Sequence, residues 1–172
     1  VIVNNNCKVR KEGLTINKLS IIGTDKLVRG GISGSIAGIV MEIVNYPLYA
    51  MDYLDIRPVD FSYMVITHQQ VETLSQMAVG LINHLLFASL SGVVLSYILV
   101  KTNYQLPILK GFGLGLGTNI ILLMLASFFN IKEVINISPI NVLLLDVSAA
   151  VPFGITLGYL LSYWEQKFNL VN

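Results

Sequence analysis

Residues Leu27–Met51 read LVRGGISGSIAGIVMEIVNYPLYAM, an apolar run broken by Arg29 near its start and Glu42 inside it. A helix needs about 20 consecutive apolar residues to cross a bilayer, and this run supplies them. Within it Gly30, Gly34 and Gly38 recur every fourth residue, which places all three on one helical face. Lipid provides no hydrophobic force between helices, so a face of small residues is how one apolar helix closes on another. The stretch therefore predicts a membrane helix built to pack against a partner.

Three further stretches of the same kind follow, at about 78–100, 109–129 and 142–164. The fold class expected is all-α: a bundle of four transmembrane helices. Composition agrees, since 54% of the 172 residues are hydrophobic, 12% are charged and the mean hydropathy is +0.70. The organisation read from this is a polar tail over 1–26, a helical membrane domain over 27–164 with a long connection at 52–77, and a short end at 165–172. Each later stretch has its own small-residue face. Ala88, Gly92 and Ser96 share one face in the second, and Ala150, Gly154 and Gly158 in the fourth. In the third, Gly111 and Gly115 lie nearly opposite Gly113 and Gly117, so that helix is expected to be gripped from both sides. Pro47 and Pro152 are expected to kink their helices.

The tail holds an Asn4-Asn5-Asn6 run and a basic patch of Lys8, Arg10 and Lys11, too poor in apolar residues to fold alone. The first apolar stretch starts late and runs too long for a cleavable signal peptide, so it reads as a span. Val1 stands where Met is usual, which fits either a fragment or a non-ATG start. The lone Cys7 offers no disulfide, and the near-balanced net charge of +1 gives no reason to expect a nucleic-acid partner. In the connection, Val59–Ile66 is apolar enough to lie along the membrane interface, and Thr67 with Gln70 reads as a capping box for the second span.

Lys8, Arg10, Lys11, Lys18, Lys26, Arg29, Lys101, Lys110 and Lys167 fall on one side of the four spans, with only Arg57 and Lys132 on the other. The positive-inside rule then sets both termini in the cytoplasm and the protein in the plasma membrane. An internal echo also runs through the chain. Arg29-Gly30 matches Lys110-Gly111, and Gly92-x-x-Leu95-Ser96-Tyr97 matches Gly158-x-x-Leu161-Ser162-Tyr163. Two parallel helix-hairpin repeats and chance recurrence in a Gly- and Leu-rich alphabet both account for it.

The candidate functional residues are the polar groups at membrane depth: Glu42, Asn45, Asn83, His84 and Asp146. A charge at the bilayer centre costs about 2.5–3.5 kcal/mol on the gentlest insertion scale, so such residues are either buried against partners or used in transport. At about 1.5 Å per residue, Glu42 lies about 20 Å, His84 about 25 Å and Asp146 about 28 Å from the cytoplasmic ends, with Asn119 closer to the cytoplasm. Glu42 and His84 are expected to meet, whereas Asp146 has the further option of reaching interfacial water. A Glu, His and Asp together suit proton relay, cation binding or metal binding; interhelical hydrogen bonding is the plainer role.

Enzyme chemistry has the least support. His-Glu-x-x-His is absent, a haem cannot be held by His84 with His68 outside the core, and Ser91 is wrongly spaced from His84 for a nucleophile and base. The alternating glycines of the third span follow no strand, so they are not a dinucleotide loop. No catalytic residue, metal ligand or cofactor is assigned. The expected role is a non-enzymatic structural or interaction component of the bilayer, with a homodimer as the assembly and any small-molecule or ion ligand unspecified. The alternative is a small oligomeric ion, proton or solute channel or transporter using Glu42, His84 and Asp146.

The ladder of Gly30–Tyr49 with Asn45, the segment from Leu54-x-x-Arg57 to His68, Leu86-Phe87-Ala88-x-x-x-Gly92 and Gly154-x-x-x-Gly158-Tyr159 together resemble a group of small bacterial four-helix membrane proteins, the YqhR-like proteins. The likeness covers about 27–164 and rests on packing residues. It implies a plasma-membrane location and four helices, and it brings no activity and no catalytic residues.

Overall fold

The computed structural model describes residues 25–135 and 137–169, so the Asn4–Asn6 run and the basic patch of Lys8, Arg10 and Lys11 lie outside the described residues. The described chain is helical: α1 Lys26–Ala50, α2 Pro58–Thr67, α3 Leu74–Lys101, α4 Pro107–Phe128, α5 Lys132–Ile135 and α6 Pro139–Asn169. Four of these, α1, α3, α4 and α6, are long and apolar enough to cross a membrane.

Hydropathy placed α1 and α4 to within two residues but cut α3 and α6 short, because it registers the apolar middle of a helix and misses polar end turns. Those turns are fixed by capping. The Gln76 amide donates to the Thr73 hydroxyl at 3.3 Å and the Gln76 side chain accepts from the Thr73 amide at 2.9 Å, which opens α3 at Leu74. The capping box expected at Thr67 and Gln70 is thus corrected to Thr73 and Gln76. Thr67 instead closes α2, its hydroxyl donating to the Tyr63 carbonyl, before His68 turns the chain with φ 59°. Pro58, Pro107 and Pro139 each start a helix, where their missing N–H removes no bond. Pro47 and Pro152 lie inside continuous helices.

Two antiparallel pairs form the framework. In the first, an added Cβ on Gly34 would lie 2.1 Å from the Ala88 carbonyl oxygen, one on Gly92 would lie 2.2 Å from the Gly30 oxygen, and one on Gly38 would meet the Ala88 methyl at 2.8 Å. The backbones of α1 and α3 are thus in direct contact. In the second, a Cβ on Gly154 would lie 2.4 Å from the Phe112 nitrogen, and one on Gly111 would lie 2.6 Å from the Gly154 oxygen. A Cβ on Gly115 would lie 3.2 Å from the Ala150 Cα, and one on Gly158 would lie 2.7 Å from the Ile108 Cα. By contrast Gly113 and Gly117 have open space around them, so within the chain α4 is gripped from one side and not from both.

The pairs join unequally. α1 packs extensively on α6, whereas α3 and α4 barely touch, so the helices stand in the order α3, α1, α6, α4 with a seam between the outer two. Two repeats related by a two-fold axis would make the α1–α6 and α4–α3 contacts equivalent, and they are not. The echoed motifs also sit out of register: Gly30 opposes Gly92, while Gly111 opposes Gly154 and not Gly158.

The larger apolar cluster extends to the end holding Lys26 and Asn169, here called the terminal end, where Leu95, Leu99 and Leu157 are each 0% exposed beside Phe153 and Leu161; a smaller one, with Phe61, Met64 and Ala126, lies at the other end. At the opposite end α2 covers the seam. Its residues Pro58 through Met64 are all buried, and Val59 sits against Gly80 of α3. α2 was expected to lie along the interface, and a glycine opposite lets it tuck against α3. Ile120, Ile121, Met124 and Phe128 of α4 face outwards, the pattern of a surface suited to lipid.

Candidate functional site

Following each ladder of small residues one rung further gives the site. On the first pair the rungs are Gly30 with Gly92, Gly34 with Ala88, then Gly38 with His84, whose Nε2 lies 3.5 Å from where a Gly38 Cβ would stand. On the second they are Gly111 with Gly154, Gly115 with Ala150, then Asn119 with Asp146, whose side chains lie beside each other. In both pairs the backbones approach closely over two rungs and the third rung is polar. His84 and Asp146 hold equivalent places on α3 and α6.

These two residues line one groove. It occupies the seam between α3 and α4, with Met41 and Ala149 on its floor, Phe61 of α2 at its covered end, and Phe87, Ser91, Thr118 and Asn119 on its walls. About 60 Å³ of it is open to the centre of a water molecule. By the measure in which one water needs about 10–15 Å³, that is room for about four to six. Towards the terminal end the groove stops at Ala150 and Phe153, against the apolar core.

The five polar residues singled out from the sequence do not form one cluster; they fall into separate contacts. Glu42 meets His84, with Oε1 3.6 Å from Nε2, as their depths suggested. Neither atom has a hydrogen-bond partner among the described residues. Asn45, fully buried, turns to the other side of α1: it donates to the Met41 and Ser148 carbonyls at 2.9 and 3.2 Å and accepts from the Ser148 hydroxyl at 2.6 Å. Asn83 is half-buried and makes no hydrogen bond or ion pair among the described residues. Asp146 pairs with Asn119, which counting from the helix ends had placed nearer the cytoplasm.

Because it is sealed by three hydrogen bonds, Asn45 is a structural tie between α1 and α6. Asn45→Leu is expected to destabilise by about 1–2 kcal/mol, the upper range for interhelical hydrogen bonds, with Ser148→Ala costing less. Unfolding in mixed detergent micelles measures both. For Glu42 and His84 the expected result is coupling: in a double-mutant cycle, Glu42→Gln combined with His84→Leu should cost less than the two single effects together, since each single change leaves one polar group buried alone. Additive effects would mean that the 3.6 Å approach carries no energy.

Two features escaped the sequence reading. Arg57 and Asp60 looked like ordinary charges of an acidic connection, yet Arg57 donates to both Asp60 oxygens at 2.8 and 2.7 Å and lies 4.8 Å over the Tyr49 ring. The Asp60 hydrogen bond raises the Arg57 pKa above its ordinary value, fixing a cation whose charge also reaches Glu42. Their i,i+3 spacing at the start of a helix was the available signal. At the terminal end, Arg29 of α1 donates to Glu165 of α6 at 3.0 Å. Tyr104 joins them; burial first, and its hydrogen bond to Glu165 second, push its hydroxyl up to about 12. Equal depth at the ends of two apolar stretches was the clue to that pair.

No protein-family model, curated protein or solved structure matches the chain. Among the described residues no group of His, Cys, Asp and Glu is arranged to hold a metal ion.

Proposed function

We propose that this chain is a non-enzymatic, YqhR-like membrane component, a four-helix transmembrane bundle that works by binding a lipid-soluble ligand in the groove between α3 and α4. The observation that carries this reading is that His84 and Asp146, from separate helix pairs, line one mostly apolar groove. Mostly apolar walls with a few convergent polar groups are the usual make-up of a small-molecule site. Conduction of an ion or solute through one protomer has less support, because a path from His84 or Asp146 towards the terminal end runs into Leu95, Leu99 and Leu157, each 0% exposed. The test is photolabelling in lipid with a hydrophobic diazirine. Label should concentrate on Phe87, Ser91, Thr118 and Leu122, which line the groove, and an excess of unlabelled ligand should protect them. Uniform labelling of all outward apolar residues would remove the groove as a site.

The proposed orientation has both termini in the cytoplasm of a bacterium and α2 outside, following the Lys and Arg asymmetry. A cysteine at exposed Gln69 should react with an impermeant maleimide from outside; reaction only after permeabilisation would reverse the topology. A homodimer through α4 is proposed as the assembly, supported by the open space at Gly113 and Gly117. Gly113→Leu and Gly117→Leu should lower the mass of the complex in detergent, and an unchanged mass in both would exclude that face.

A further inference from the structure

Within the proposed groove, the chemistry of the lining narrows the ligand. Asp146 is half-buried in mostly apolar surroundings and its neighbour is an uncharged amide, that of Asn119; among the described residues no Lys, Arg or His nitrogen lies within ion-pair distance of it. The other carboxylates of the helix framework differ in this respect. Asp60 has Arg57, Glu165 has Arg29, and Glu42 has His84 beside it. A carboxylate in an apolar site without a countercharge favours a ligand that brings one.

Phe61, Phe87 and Phe153 line the same groove from α2, α3 and α6. An ammonium near aromatic faces gains about 0.5–2 kcal/mol from the ring quadrupoles, and more when water is excluded. Aromatic walls with one carboxylate select an organic cation over an anion, which Asp146 would repel, and over a bare metal ion, for which too few oxygen donors converge. The seam between α3 and α4 leaves a hydrocarbon tail room to extend out of the groove.

We infer that the groove binds a lipophilic cation, an alkyl chain ending in a protonated or quaternary amine, with the amine against Asp146 on the aromatic-lined groove, and the chain leaving between α3 and α4. The inference rests on the groove being a ligand site, as proposed above. His84, on the opposite hairpin, completes the polar side, and Asn119 lies beside the Asp146 carboxylate.

The test is equilibrium binding to the full chain in phosphatidylcholine nanodiscs, using radiolabelled dodecyltrimethylammonium with dodecanol and dodecanoate as competitors of equal chain length. Saturable binding of the cation is expected, about tenfold or more tighter than the alcohol, with dodecanoate weakest. Asp146→Asn should reduce cation affinity by about tenfold and leave dodecanol unchanged. Phe87→Leu, at a partly exposed wall position, should weaken the cation selectively. If Asp146→Asn loses its helical content, the wild-type competition and Phe87→Leu decide the matter. Dodecanol competing as well as the cation would overturn the cation assignment while leaving the groove as a site. The absence of saturable binding by all three would overturn both.

Discussion

Alanine in place of Gly34 is expected to lower unfolding stability by about 3 kcal/mol, with Gly92→Ala and Gly154→Ala close behind, while Gly113→Ala and Gly117→Ala are neutral or stabilising. The five substitutions add the same methyl to the same kind of residue in the same kind of helix. They differ in what the methyl meets. At Gly34, Gly92 and Gly154 it would lie 2.1, 2.2 and 2.4 Å from backbone atoms of the facing helix, which cannot rotate away as a side chain can, so the helices must separate. Separation loses dispersion contacts along the whole ladder, and in lipid those contacts hold the pair together. At Gly113 and Gly117 nothing lies within 4 Å, and alanine gains up to about 1 kcal/mol of helix propensity over glycine. Reversible unfolding in mixed micelles, followed by far-ultraviolet circular dichroism, gives all five values. Similar losses at all five positions would mean that helix propensity or lipid contact governs these glycines and not backbone approach.

The second large effect is expected at the terminal end. Glu165→Leu should destabilise by about 2 kcal/mol, because it leaves Arg29, a residue only 7% exposed, without its carboxylate and removes the acceptor of the Tyr104 hydroxyl. Breaking a fully buried pair typically costs about 3–5 kcal/mol; the lower figure reflects the 22% exposure of the Glu165 side chain, which lets water take up part of the stranded charge. Adding Arg29→Leu to Glu165→Leu should recover part of the loss, since the double variant strands no charge. Strict additivity in the cycle would show that the two side chains act independently.

The four long helices were legible because hydropathy and the fourfold spacing of Gly30, Gly34 and Gly38 report local properties of one helix. The pairing of Glu42 with His84 was legible for a similar reason, since depth along a helix follows from counting residues. What stayed hidden depends on how helices associate. Counting from the helix ends put Asn119 and Asp146 at different depths, because the count ignores the register set by Gly111 against Gly154 and Gly115 against Ala150. Extending that register by one rung would have placed them together. The same holds for Asn45: its membrane depth grouped it with Glu42, yet it packs on α6, because α1 has a neighbour on each side. The i,i+3 spacing of Arg57 and Asp60 was a local signal, but their burial was hidden, because it follows from α2 tucking against α3 at Gly80.

The central claim is that two tightly closed helix pairs leave an open seam between α3 and α4 where His84 and Asp146 meet one groove. Disulfide formation in a Cys7→Ser background tests it most directly. Gly115→Cys with Ala150→Cys, whose Cβ atoms would stand 3.3 Å apart, should oxidise rapidly in lipid under mild copper-phenanthroline treatment. Phe87→Cys with Leu122→Cys, on opposite walls of the groove, should remain reduced under the same conditions. Rapid oxidation of the second pair to an intramolecular disulfide would place α3 directly against α4, close the seam and contradict the account.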